Sequence, residues 1–72
     1  MESNLKKSIR DDLNRIDAIA SALRAAVDGG RSLDALECAS HIVDLMEGLR
    51  HRLAGAAAED MARDRLWQMD SR

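Results

Sequence analysis

Two runs of apolar residues at helical spacing, divided by a glycine corner, organise this chain. In the first run the larger apolar residues fall at Leu5, Ile9, Leu13, Ile16, Leu23 and Val27, with Ala20 filling the gap. Steps of three and four residues place them on one stripe of a helix from about Ser3 to Asp28. Ile19 and Ala26 widen that stripe on one side, while Lys7, Arg10, Asp11, Asn14, Asp17 and Ser21 lie away from it. Ser8 followed by Asp11 has the spacing of a capping box, so the helix starts at either Ser3 or Ser8.

Asp28-Gly29-Gly30-Arg31-Ser32 is the punctuation. Glycine just past a periodic run suits the left-handed position that ends helices. Ser32 can cap the next helix, and Asp34 and Glu37 set negative charge near its positive end. So short a connection predicts antiparallel neighbours, an αα-hairpin.

The second helix is predicted over about Leu33 to Ala54, and its apolar residues form two ridges. Leu36, Ala39, Val43, Met46 and Leu53 make one; Cys38, Ile42, Leu45 and Leu49 make the other. Together they cover more circumference than one partner helix can hide. Glu37, Ser40, His41, Asp44, Gly48, His51 and Arg52 occupy the remaining face. Gly55, after three cationic or titratable residues (Arg50, His51 and Arg52), reads as a stop. Beyond it, Ala58, Ala62, Leu66 and Met69 make a thin stripe, and Glu59 with Arg63 is a supporting i,i+4 pair. The expectation for 55–72 is a short third helix or a frayed tail, because Asp60 and Asp64 would interrupt the apolar face of one continuous helix.

Composition agrees with an all-α class. The chain has 72 residues, no proline, no Phe or Tyr, and a single aromatic, Trp67. Ala, Leu and Met supply most of the apolar residues, and strands want β-branched and aromatic ones. Formal charge is −2, with charged residues at 33%, which fits a soluble, cytoplasmic, mixed-charge domain. There is no apolar run for a membrane span and no secretory signal in the opening residues. One cysteine, Cys38, excludes an internal disulfide and a multi-cysteine metal site.

Size adds a further expectation. A domain this small needs a staple, and with disulfides excluded and no metal cage visible the staple is association. Two hairpins would form a four-helix bundle about a two-fold axis, joined through Ile16, Leu23, Ile42, Leu45, Met46 and Leu49. The alternative is a monomer whose third segment folds back over the exposed ridge.

No catalytic constellation emerges, and neither a cofactor nor an enzymatic activity is expected. His41 and His51 are ten residues apart, whereas a helical metal pair uses i,i+4; beside Glu37, Asp44 and Glu47 they read as solvated charge partners. Cys38 lies on the apolar face as a small hydrophobe, with Asp34 opposing thiolate formation. Gly29-Gly30 lacks the surroundings of a phosphate loop. Lys6, Lys7, Arg10 and Arg15 give the first helix a basic start, but Asp11, Asp12 and Asp17 are interleaved, which argues against nucleic acid. Trp67 has two readings: a binding residue beside Arg63, Leu66 and Met69, or a cap on the open end of the hairpin.

Asp34-Ala35-Leu36-Glu37-Cys38-Ala39-Ser40, followed by Ile42-Val43, resembles the D-A-L-x-x-A-S pattern of a group of short helical bacterial proteins. Leu66-Trp67-Gln68-Met69 resembles that group's closing helix. The group has no established activity, so the resemblance implies a helical fold. In architecture the hairpin is similar to plasmid copy-control RNA-binding hairpin dimers, secretion co-chaperones and phage-encoded inhibitors of host regulators. The functional expectation is a homodimeric adaptor or inhibitor of a larger bacterial regulator, contacting that protein through Arg63, Leu66, Trp67 and Met69. Structured-RNA binding through Lys6, Lys7, Arg10 and Arg15 is the alternative, and a secretion co-chaperone another.

Overall fold

The computed structural model describes the backbone of residues 2–70 and the side chains of residues 2–65. Helix α1 spans Ser3–Asp28 and helix α2 spans Ser32–Asp70. They pack against each other as an antiparallel hairpin, and the described residues contain no strand. The shape is a rod of 63 × 18 × 14 Å. Its length is that of α2, since 39 residues at ~1.5 Å each reach about 58 Å.

The corner forms as the glycines predict. Gly29 keeps right-handed angles, and Gly30 takes the left-handed step at φ 70°. The Gly30 amide donates to the Val27 carbonyl and the Arg31 amide to that of Ala26, at 3.1 and 2.8 Å. This pair of bonds is a Schellman closure, which satisfies carbonyls that the last turn would leave open. Ser32 is the first residue of α2 rather than its cap; the Ala35 amide donates to the Arg31 carbonyl at 3.0 Å.

Of the two starts open to α1 the structure takes the first, and the expected end of α2 changes. α1 begins at Ser3, with Glu2 in the extended cap position, so Ser8 is an interior residue and caps nothing. α2 does not stop at Gly55: it runs through to Asp70, which replaces the third helix or tail expected over 55–72. Interior glycine costs only ~1 kcal/mol relative to alanine, and Ala54, Ala56, Ala57 and Ala58 around it are the strongest helix formers. The disruptive phase of Asp60 and Asp64 costs nothing here. Those residues stand at and beyond the level of Glu2, where α1 begins and no neighbour remains to be faced.

The hydrophobic seam keeps a strict heptad on both helices. Among the described residues, the seam positions are Leu5, Ile9, Asp12, Ile16, Ile19, Leu23 and Ala26 on α1 and Ala35, Cys38, Ile42, Leu45, Leu49, Arg52 and Ala56 on α2, with Ser8 and Ala39 half-buried at its edges. Steps of three and four alternate without a break, the spacing of a two-stranded coiled coil. Of the described residues, only Ala26, Leu49 and Ala56 are buried outright. Asp12, Ile19 and Ala26 thus take the inner row of α1, and the expected stripe members Leu13, Ala20 and Val27 stand outside it.

Candidate interaction surface

Turning one ridge of α2 inward leaves the other uncovered. Leu36 is 63% exposed, Val43 54%, Met46 56% and Leu53 42%. On α1, Leu13 and Val27 are also exposed. These residues share one side of the rod. If each inner seam supplies positions a and d, then Leu13, Ala20 and Val27 are e on α1, and Ala39, Met46 and Leu53 are e on α2. In an antiparallel pair the two e rows flank the seam on the same side. Leu36 and Val43, at b, extend the surface outward, and Leu33, exposed as well, borders it.

Of the six residues expected at a dimer interface, five face the other helix of the same chain. Ile16, Leu23, Ile42, Leu45 and Leu49 lie in the seam between α1 and α2. Met46 alone is on the open face. The expectation assigned Ile42, Leu45 and Leu49 to a second chain, whereas α1 of the same chain covers them, because periodicity counts ridges without saying which one meets α1.

A polar cluster interrupts the seam. The Arg52 guanidinium donates to the Ser8 hydroxyl at 2.6 Å and to an Asp12 carboxylate oxygen, and its Nε donates to the Gly48 carbonyl at 3.3 Å. The Asp12 side chain is 14% exposed and that of Arg52 32%. Neither was singled out from the sequence, where Arg52 reads as a member of the solvated face. The signal available was the heptad itself, which demands something at 12 and 52.

Beside that cluster, at the α1 N-terminal end, lies an open cleft of about 570 Å3 bordered by Glu2, His51, Arg52, Glu59, Asp60 and Arg63. Among the described residues no His, Cys, Asp and Glu group has the arrangement to hold a metal ion. His41 and His51 are both exposed, and Cys38 is half-buried in the seam near the corner. Lys6, Lys7, Arg10 and Arg15 are exposed but wrap around α1, with Asp11 and Asp17 exposed among them. Arg63 is exposed on the part of α2 that passes α1. The side chains of Leu66, Trp67 and Met69, the other expected partner-binding residues, lie outside the described residues. No helix among the described residues is long and apolar enough to cross a membrane.

No protein-family model, curated protein or solved structure matches the chain. The likeness over residues 34–43 thus rests on those residues alone. In the fold, that stretch divides between the two ridges: Ala35 and Cys38 in the seam, Leu36 and Val43 on the open face.

Proposed function

We propose that this protein is a binding module that works as a homodimer and acts on a larger protein by contact rather than by catalysis. One observation carries the reading: a lone hairpin leaves the apolar ridge of Leu36, Val43, Met46 and Leu53 in water. The surface as a whole agrees. The chain exposes 6044 Å2 at 7.9 kDa, where a folded monomer of that mass exposes about 4,400 Å2. The excess exceeds the ~800 Å2 that each partner contributes to a standard interface. Fully burying one Leu, Val or Met yields ~1.5–3 kcal/mol. Even at half that value, four such residues on each of two chains can outweigh much of the association cost.

The larger partner is the second element of the proposal. α2 outruns α1 by about 20 Å at ~1.5 Å per residue, leaving an arm that carries Arg63 and, further on, Leu66, Trp67 and Met69. A single projecting helix suits insertion into a groove on another protein. Light scattering and circular dichroism on charged variants test the module. Leu36→Glu and Met46→Glu should abolish self-association and lower the thermal midpoint with it, whereas Leu49→Glu should melt the hairpin outright. Removing residues 60–72 should leave association intact. Association that survives both open-face substitutions would overturn the reading.

A further inference from the structure

We infer that the occupant of the open α2 face is the same face of a second copy, running antiparallel and centred between Asp44 and Leu45. This rests on the homodimer reading above and adds which helices meet, in what direction and in what register.

The open ridge, extended through Arg50, has positions 36, 39, 43, 46, 50 and 53, again alternating three and four. About a centre between 44 and 45, Leu36 meets Leu53 of the partner subunit and Val43 meets the partner's Met46. Ala39 meets the partner's Arg50. The one charged residue in the row thus faces its smallest one, and the Arg50 stem can lie over Ala39 with its head in water. Glu47, on the border, approaches the partner's Ser40, so no like charges oppose each other.

Length selects this register. α2 begins at Ser32, and reflection through the centre sends Ser32 to Ala57. The two rows of that face end at the same place: Ala57 is their last apolar member and Asp60 and Asp64 follow on them, while Met61 borders the rows as Leu33 does at the other end. These acids pass beyond the partner's α2 and come alongside the partner's Arg31 at the glycine corner. The Arg31 guanidinium forms an exposed ion pair with Asp34, at 3.5 Å, which can be exchanged at little cost. A largely apolar face as long as the available mate, its one arginine set against alanine and its end marked by acids opposite a cation, is the pattern of a self-complementary contact.

Spin labels read the arrangement directly. Cysteine is placed one position at a time at Glu37, Asp44 or Ala58, all exposed and directed away from the proposed contact. The background is full-length Cys38→Ala, and pulsed dipolar spectroscopy measures the distance between the two chains. Opposed helices separate like residues by ~3 Å of axial offset per residue from the centre. The offsets should be about 2 Å at 44, 23 Å at 37 and 41 Å at 58. The distances should therefore rank 44, 37, 58. Equal distances at all three sites, with dimer mass retained, would overturn the register while leaving a homodimer. Dipolar signal absent at every site, with the mass of one chain, would overturn both, leaving the face to a different protein.

Discussion

Arg52 is where a single residue most alters the account of the hairpin. It sits at a seam position that a leucine would otherwise fill, and it is accommodated because Asp12, Ser8 and the Gly48 carbonyl accept its hydrogens. Removing one member leaves the others short of partners inside the seam. Asp12→Ala should therefore destabilise the hairpin by about 1–2 kcal/mol, the partial exposure of Arg52 limiting the loss. Replacing both ions by leucine should restore or exceed the original stability, since a buried ion pair often contributes less than the apolar pair that could stand there. Thermal melts at fixed protein concentration check both. A double variant less stable than Asp12→Ala would show that the ion pair contributes more than apolar packing can.

At the scale of the helices, the two glycines of interest should respond in opposite directions to the same substitution. Gly30 holds a left-handed φ of 70°, and alanine there costs ~1–2 kcal/mol. Gly55 lies inside α2 with open space where a Cβ would go, so Gly55→Ala should add ~0.5–1 kcal/mol. Urea titration followed by circular dichroism measures both, and a destabilising Gly55→Ala would mean that α2 breaks there. The same two glycines mark what was readable. Adjacent glycines at the end of a periodic run identify a corner because few other sequences close a helix so cheaply. A lone glycine among alanines looks similar by residue type, yet its ~1 kcal/mol penalty is too small to end a helix that its neighbours favour. The rows of α1 posed a harder problem. Leu13 and Asp12 adjoin the same stripe, and hydrophobicity prefers Leu13. Asp12 turns inward because Arg52 lies opposite, and a pairing between residues forty apart leaves no trace in local spacing. The ridges of α2 were both visible for the same reason that their roles were not: each is a sound heptad, and only the position of α1 decides between them.

For the molecule as a whole, the hairpin resolves half of its hydrophobic pattern and leaves half. One ridge of α2 closes the seam with α1. The other, with Leu13 and Val27 beside it, stays largely exposed among the described residues, while α2 continues past α1 as an arm. A fold that buries so few of its apolar residues outright has little stability of its own to draw on. Folding and association should accordingly be coupled, and the midpoint of unfolding should rise with protein concentration. Sedimentation equilibrium of the unaltered protein over a concentration series tests this most directly. The account predicts a species of twice the 7.9 kDa chain mass that dissociates only on dilution. A fully helical species of single-chain mass, stable at every concentration, would contradict it.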